Sequence, residues 1–356
     1  MSVAPAQGSR TTSAGWLASV LCAGLLTACS DTSGSKDSDD SADDGPTSSS
    51  STSPVPEPGA APTIPARPPH PVSLPALMQK SYDGRALTLG AEGASTSAYT
   101  QHTVSYLSGT MKVSGLMNVP TGKGPFPALV LAHGYIDPAY YDNGQGMRRE
   151  QDYLARAGYV TLHVDYRGHA FSDPAPRAEE SLRLGYTEDV INAVLALRRW
   201  RGPVDDDRIG LVGRSMGGGV IYNALTVQPG LVDAAVVFAP VSSDTVDNFE
   251  RWTRPERGDV ATRILARYGE PRTHRRFWRN VSPRTFFGRV TEPLMIHHGT
   301  SDDSCPLPWS RRTVRALQAY GKRVTFHVYP GEEHAFGPQW TLSMERTVRF
   351  LRRTLS

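Results

Sequence analysis

The stretch "VGRSMGGGVIYNAL", residues 212–225, places four glycines and one serine between an apolar run and a helix-like segment. The run "RIGLV" just before it is short and almost continuously apolar, which is typical of a buried strand. The segment after the glycines resembles the start of a helix. The stretch therefore predicts a strand, a tight turn at Ser215 and a helix.

Similar short apolar runs occur along the chain: "FPALVLAHG", "YVTLHVDYRG", "DAAVVFAP", "PLMIHHG" and "VTFHVYPG". Runs of this kind suit strands buried on both faces, as in a parallel sheet. Helix-like segments separate most of them, and this alternation predicts an α/β fold with a doubly wound, mostly parallel sheet. Upstream, "HTVSYLS" and "TMKVSGLMNVP" alternate apolar and polar residues around Ser108-Gly109, which predicts an antiparallel hairpin.

One connection is much longer than the others. About 50 residues separate Pro240 from Pro293, far more than a single crossover needs. The interval contains large aromatic residues and many arginines, among them Phe249, Trp252, Phe277, Trp278, Arg251, Arg257 and Arg263. We predict a helical lid insertion at about residues 243–292. For its arginines we favour solvated helix faces over recognition of acidic substrates.

The first 71 residues differ from the rest. Residues 15–30, "GWLASVLCAGLLTACS", form an apolar run that is too short to span a membrane comfortably and is typical of an export signal. Its end, "LTAC", resembles a bacterial lipobox, so Cys29 is predicted to be lipidated and residues 1–29 to be a lipoprotein signal. Residues 30–71 are rich in Ser, Asp and Pro and predict a disordered tether. The folded domain is expected over residues 72–356.

The composition and charge of the chain limit the classes of binding partner that we expect. The chain has a net charge of +3, and its acidic first 71 residues leave the remainder mildly basic. That balance favours anionic surfaces or substrates. Without a basic helix, zinc-finger spacing or basic strand with interleaved aromatics, we predict no nucleic-acid partner. Of three cysteines, Cys22 would be removed with the signal, which leaves Cys305 as the free thiol of the exported chain.

The pattern Gly-x-Ser-x-Gly at residues 213–217 suits the strand-to-helix elbow that presents a nucleophilic serine. The turn exposes Ser215 at the carboxyl end of the sheet, where α/β proteins bind ligands. It also places the backbone N–H of Met216 at a helix start, where that group can receive a negatively charged oxygen. A glycine-rich turn with an incidental serine has the same short pattern, so the pattern alone does not identify a nucleophile. The loops after the other predicted strands supply the further evidence.

Three further loops follow predicted strands. "HHGTSDDSCP" supplies Asp302, and "YPGEEHAF" supplies His334, which completes the order Ser, Asp, His. Loops at one edge of a parallel sheet converge, so these residues can meet Ser215. "LVLAHGY" ends at Tyr135, whose backbone N–H is predicted to be the second oxyanion donor beside Met216. We assign Ser215 as nucleophile, His334 as base and Asp302 as the acid that orients it.

Other candidates fit less well. Asp303 adjoins Asp302, but the spacing favours Asp302 as the acid. His169 lies in a loop that could line the site, and His297 and His298 are better explained as structural residues. For Cys305 we favour a small buried residue near the pocket over a nucleophile. The histidines lack a spacing typical of zinc ligands, and acyl transfer by serine needs no metal or cofactor, so we predict neither.

From about Tyr106 onward the motifs resemble the catalytic domain of the prolyl oligopeptidase family of α/β hydrolases. The resemblance is carried by "GPFPALVLAHG", "YRG", "DRIGLVGRSMGG", "SPRTFFGRVTEPLMIHHGTSDDSCPL" and "VYPGEEHAF". It implies an eight-stranded, mostly parallel sheet with helices on both faces. It also implies that Ser215, Asp302 and His334 form the catalytic triad.

The departures concern the substrate. Larger peptidases of this family carry an N-terminal β-propeller, whereas only about 35 residues of the expected folded domain precede Tyr106, so we expect no propeller. Ala170 stands where related hydrolases often have glycine. Stand-alone domains include carboxylesterases, and "RSMGGG" also resembles cutinase-like polyesterases. We favour a carboxylesterase over a serine exopeptidase, with a surface-anchored binding module as the non-enzymatic alternative. The oligomeric state stays open.

Overall fold

The structure, a computed structural model, describes residues Pro68–Leu355. The predicted export signal, Cys29 and nearly all of the predicted tether lie outside these residues. Within them, no helix has the length and apolar character needed to cross a membrane.

A single nine-stranded sheet organises the described residues, in the order β1-β2-β3-β5-β4-β6-β7-β8-β9. β1, β2 and β3 pair antiparallel, β3 pairs antiparallel with β5, and the remaining pairs are parallel. The strands are β1 (Arg85–Ser95), β2 (Tyr99–Ser108), β3 (Met111–Pro120), β4 (Phe126–Ala132), β5 (Val160–Val164), β6 (Val204–Arg214), β7 (Ala234–Phe238), β8 (Leu294–Gly299) and β9 (Val324–Tyr329). The α/β class and the hairpin at Ser108-Gly109 are confirmed.

The sheet has nine strands where eight were expected, and the additional one is β1. Its sequence, "RALTLGAEGAS", buries only one side chain, that of Leu87. A strand at the sheet edge with so little buried surface gives no alternating apolar pattern to detect.

Helices cover both faces of the sheet, as a doubly wound fold requires. One face packs against α3 (Leu184–Arg199), α4 (Met216–Val227) and α9 (Leu307–Ala319), and α1 (Leu74–Met78) also lies on this side. The opposite face packs against α2 (Arg148–Arg156) and α10 (Trp340–Thr354). The strands between these layers are buried on both sides; β5 and β7, for example, have no exposed residue.

The connection between β7 and β8 is helical, as predicted. It contains α5 (Thr245–Asn248), a π-helical turn (Phe249–Thr253), α6 (Arg254–Glu256), α7 (Gly258–Tyr268), α8 (Arg275–Asn280) and a 3-10 helix (Pro283–Arg289). We call residues 245–289 the insertion. Phe249 and Trp278 are buried in its centre with ring centroids 4.9 Å apart, and they join the core under α3 and α4. The insertion therefore has an aromatic core that continues into the main domain.

Candidate active site

Ser215 lies in the turn between β6 and α4 with φ +55° and ψ −120°. A positive φ is unfavourable for a residue that has a Cβ, so the surrounding structure must hold this conformation. The Ser215 N–H donates to the carbonyl of Phe238 at 3.0 Å, and the Ser215 carbonyl accepts from Gly218 and Val241 at 3.0 and 3.2 Å. The strain of the turn thus resides at the serine itself, as in a nucleophile elbow.

The neighbouring glycines serve close packing. A Cβ on Gly217 would lie 1.9 Å from the carbonyl oxygen of Ala132, at the end of β4. A Cβ on Gly213 would lie 2.6 Å from Cδ1 of Ile221 on α4. Neither glycine has a positive φ. They are needed because α4 approaches the backbone of the sheet too closely for any side chain.

Replacing Gly217 by alanine is expected to destabilise the fold by about 1–3 kcal/mol or more, because the methyl group must displace backbone. Gly258 is the matched control, since a Cβ there meets no atom within 4 Å and its φ is not positive. Urea unfolding of both variants measures the difference. A Gly217→Ala protein as stable as Gly258→Ala would contradict this account of the turn.

Asp302 and His334 lie in the loops after β8 and β9, and the structure brings them together. Nδ1 of His334 is 2.9 Å from Oδ2 and 3.0 Å from Oδ1 of Asp302. The exposed Asp303 carboxylate points elsewhere, with Ser304 Oγ 3.5 Å away. With Nδ1 on the carboxylate, Nε2 of His334 is left to accept a proton.

The environment keeps Asp302 ionised. Its Oδ1 accepts from the backbone N–H of Cys305 at 2.8 Å, and Nε2 of the fully buried His298 is 3.3 Å from Oδ2. Burial alone would raise the pKa of the Asp302 carboxyl, but the hydrogen bonds from His298 and His334 outweigh it and hold that pKa well below its usual range. His298 and His334 therefore both contact Oδ2 of this carboxylate.

Ser215 faces the same cavity as His334. Its Oγ is 4.0 Å from Sγ of Cys305, and the hydrogen bonds among the described residues do not join Ser215 Oγ to His334. Such a bond often tightens only when substrate is bound. Cys305 is fully buried, and burial followed by the charge of Asp302 raises the pKa of its thiol. It is therefore a neutral thiol at physiological pH.

The two predicted oxyanion donors belong to residues that are close to Ser215 along the chain or next to a residue that packs against it. Met216 is the first residue of α4, and the first N–H groups of a helix have no partner within it. Gly134, just before Tyr135, packs against the serine so closely that a Cβ would lie 3.2 Å from Ser215 Cβ. The loop after β4 therefore runs directly beside Ser215.

Asp165, which the sequence reasoning did not single out, anchors that loop. It is fully buried at the end of β5 and accepts hydrogen bonds from Tyr141 Oη, Asn143 Nδ2 and the N–H of Gly144, at 2.8, 2.6 and 3.0 Å. A carboxylate directly after a buried strand, as in "VDYRG", was the signal for it.

The other predicted histidines are placed away from the serine hydroxyl. His297 is buried with Nδ1 2.7 Å from Tyr329 Oη, and burial lowers its pKa. His169 packs edge-on against His133 and Tyr141. Burial lowers the pKa of His133 to about 3. These side chains are part of the packing beneath the loops. In residues 68–355, the acidic side chains close enough to share a metal ion are those of Asp205–Asp207, before the apolar part of β6 and at the opposite end from Ser215.

Two arginines and a buried glutamate hold the backbone that carries His334. Nη1 of Arg214 donates to the carbonyl of residue 334 at 3.0 Å, and Arg149 donates to the carbonyls of residues 335 and 336 at 2.8 and 3.3 Å. Glu150 accepts from Arg214 at 2.6 Å and from Trp340 Nε1 at 2.9 Å. Three consecutive carbonyls of the His334 loop are thereby fixed to β6 and α2.

A cavity of about 580 Å³ opens at Ser215 and His334, between the sheet edge and the insertion. Its apolar lining comes from both parts of the chain and includes Leu182, Val220, Val241, Phe249, Val260 and Ile264. Charged residues also line it, namely Glu179, Arg183, Glu256 and Arg257. The cavity is large enough for a short peptide or an acyl chain.

Residues 145–356 match the model of the prolyl oligopeptidase family, Peptidase_S9, and this match includes Ser215, Asp302 and His334. The chain is 26% identical over 219 residues to dipeptidyl aminopeptidase BIII of Pseudoxanthomonas mexicana, covering 60% of this chain and 30% of that protein. It is also 26% identical over 223 residues to the uncharacterized peptidase YuxL of Bacillus subtilis. The chain thus spans about a third of the length of these curated relatives.

Solved structures show the same fold at low identity. The acylaminoacyl peptidase of Pyrococcus horikoshii superposes with a TM-score of 0.57 and 22% identity, covering 72% of this chain and 42% of that one. A puromycin-hydrolyzing peptidase of Mycobacterium tuberculosis superposes with a TM-score of 0.55 and 24% identity, covering 69% of this chain and 37% of that one. With a family match over more than half of its residues, the chain belongs to the prolyl oligopeptidase family of hydrolases.

Proposed function

We propose that this protein is a serine peptidase that cleaves short peptides through an acyl-enzyme. The observation that carries the proposal is the pairing of His334 with the buried Asp302 at the cavity into which the strained Ser215 turn opens. Two relatives are named as peptidases, and this supports peptides as the proposed substrates of this chain. The preference for a carboxylesterase drawn from the sequence stays a prediction.

The reaction proceeds in two halves. Nε2 of His334 takes the proton of Ser215 Oγ as the oxygen attacks the scissile carbonyl carbon. The N–H groups of Tyr135 and Met216 bind the resulting oxyanion, and Asp302 stabilises the imidazolium. His334 then gives its proton to the leaving amine as the C–N bond breaks. Water, deprotonated by His334, then attacks the acyl carbon. The bond from that carbon to Ser215 Oγ breaks, His334 returns the proton to Oγ, and the acid is released.

Ester hydrolysis is the second candidate, and the apolar lining of the cavity favours it. Leu182, Val220, Val241, Phe249 and Ile264 would accommodate a hydrophobic acyl chain. The same oxyanion donors serve both reactions, so the chemistry of the site does not distinguish them. The two candidates differ in how strongly the enzyme must assist the leaving group, because an amine leaves less readily than an alcohol.

The deciding experiment compares kcat/KM for aminoacyl and dipeptidyl p-nitroanilides with kcat/KM for a p-nitrophenyl ester series. Efficient anilide cleavage supports the peptidase. Turnover of esters alone, with a chain-length preference, would replace it with the carboxylesterase. A fluorophosphonate probe that fails to label Ser215, together with no turnover, would favour a binding module instead.

Arg214 is a positioning residue for His334 in this proposal. Arg214→Met is expected to lower kcat about 10- to 100-fold with little change in KM, because a small displacement of the base impairs proton transfer. Arg214→Lys keeps one charged donor and should recover part of kcat. Steady-state kinetics and the pH profile of kcat measure both effects.

The control is Arg208→Met, which removes an arginine that pairs with Asp205 near the other end of β6. It should leave kcat unchanged. If Arg214→Met lost activity only in proportion to unfolded protein, the positioning role would be wrong.

We also propose that the protein is exported and held on the outer face of the cell membrane by lipid on Cys29. The lipobox-like "LTAC" supports this. Cys29→Ser should abolish incorporation of labelled palmitate and release the protein into the soluble fraction, whereas Cys22→Ser should do neither. Equal labelling of both variants would contradict the anchor.

A further inference from the structure

Two guanidinium groups lie close to the ring of Tyr135. Cζ of Arg183 is 4.7 Å and Cζ of Arg257 is 4.6 Å from the ring centroid. Arg183 comes from the loop before α3, and Arg257 comes from the insertion, between α6 and α7. Tyr135 itself follows the glycine that packs against Ser215, and it is 41% exposed. Two cations are thus held beside the turn that is proposed to bind the oxyanion.

These two cations share one carboxylate. Glu179 accepts from Arg183 at 2.7 Å and also from Arg257. Burial opposes ionisation of Glu179, but Arg183 and then Arg257 hold its pKa below the usual range, so it carries one negative charge. The group of Arg183, Arg257 and Glu179 therefore has one positive charge in excess.

Most of the N–H donors of these two arginines have no hydrogen-bond partner among the described residues. Each guanidinium has five N–H donors, and each gives one hydrogen bond to Glu179. Nε of Arg183 is buried and has no hydrogen-bond partner among the described residues. The side chains of Arg183 and Arg257 are only 22% and 21% exposed, so water satisfies them incompletely. A partly desolvated, unbalanced cation pair favours an anion.

The backbone under Arg183 is also held in an unusual conformation. Leu182 and Arg183 have consecutive positive φ values, 52° and 56°, and neither is glycine. Such strain persists where the surrounding structure enforces it, often at ligand-binding positions. Both residues line the cavity that contains Ser215.

We propose that Arg183 and Arg257 bind a carboxylate of the substrate, so that the preferred substrates carry an acidic group close to the scissile bond. This inference rests on the proposed function. The planar fork of arginine suits a carboxylate, which can accept two parallel hydrogen bonds. Glu256 also lines the cavity, is exposed and forms no ion pair with a described residue, so a cationic substrate is the opposite outcome.

The test uses matched substrates that differ in one charge. Succinyl-Ala-Ala-p-nitroanilide against acetyl-Ala-Ala-p-nitroanilide probes a carboxylate on the acyl side. A 3-carboxy-4-nitroanilide against the p-nitroanilide of the same acyl group probes the leaving side. We expect kcat/KM to be about tenfold higher for the anionic member in one series, with the ratio falling as salt is added.

The variants are Arg183→Met and Arg257→Met, and each should reduce the ratio to below about threefold. The ratio is taken within one preparation, so partial unfolding does not alter it. Arg263→Met is the matched control, because Arg263 is an insertion arginine that pairs with Glu180 and does not line the cavity. It removes the same charge and should keep the ratio.

The outcomes of this test distinguish failure of this inference from failure of the proposed function. Turnover of neutral substrates with equal rates for the anionic ones would overturn this inference and leave the proposed function standing. A preference for cationic substrates would overturn it in favour of Glu179 and Glu256. No turnover of any substrate and no labelling of Ser215 would overturn the proposed function, and this inference with it.

Discussion

Replacing Ser215 by alanine is expected to lower kcat by at least about 10⁴-fold for peptide and ester substrates, because no other side chain at this position can form the acyl-enzyme. The free energy of unfolding should change little, since within residues 68–355 the hydrogen-bond partner of Ser215 Oγ is Cys305 Sγ, at 4.0 Å. Stopped assays with p-nitroanilides and a thermal melt measure the two quantities.

Ser301 offers the control for this variant. It is exposed in the loop that carries Asp302, and Ser301→Ala should retain both turnover and labelling by a fluorophosphonate. Turnover by pure Ser215→Ala protein within tenfold of the parent would exclude Ser215 as the nucleophile.

Asp302→Asn should lower kcat about 10³- to 10⁴-fold with little change in KM. The amide preserves the volume of the side chain, but its nitrogen cannot accept the proton of His334 Nδ1, so the imidazole is no longer held in the required tautomer. The expected loss is large because Asp302 is buried and contacts both His298 and His334. Single-turnover kinetics separate this loss from changes in substrate binding.

The neighbouring Asp303→Asn supplies the comparison. Asp303 is exposed, and its backbone carbonyl, rather than its carboxylate, accepts from Arg251. This variant should keep its activity. Equal losses of kcat in the two variants would mean that activity depends on the loop and not on the Asp302 carboxylate.

The parallel strands β4, β5, β7 and β8 could be predicted because they are largely buried on both faces and therefore almost continuously apolar. β1 could not, because Leu87 is its only buried residue. The elbow was predictable from local sequence, although the strain lies at Ser215 and the glycines serve close packing. A sequence pattern marks such a turn without showing which residue bears the unfavourable φ.

The candidate site also contains residues that could be predicted from the sequence and residues that could not. Asp302 and His334 could be predicted as site residues from the sequence because each follows a parallel strand, and the loops after parallel strands meet at one edge of the sheet. Glu150 and Arg183 could not be predicted as site residues, since charged residues in helical or loop segments are ordinarily solvated. Only the tertiary structure shows that Glu150 is buried against Arg214, 64 positions away, and that Arg183 and Arg257 both lie close to Tyr135 and share Glu179.

The position of the insertion has a consequence for how such an enzyme can diversify. It leaves the sheet after β7 and returns at β8, two strands that lie side by side. Ser215, Asp302 and His334 all lie outside residues 245–289, whereas Phe249, Ile264 and Arg257 lie within them. Exchange or randomisation of this one segment would alter the lining of the cavity while leaving the proposed acyl-transfer groups in place, so new specificities could evolve by recombination at two adjacent strand ends.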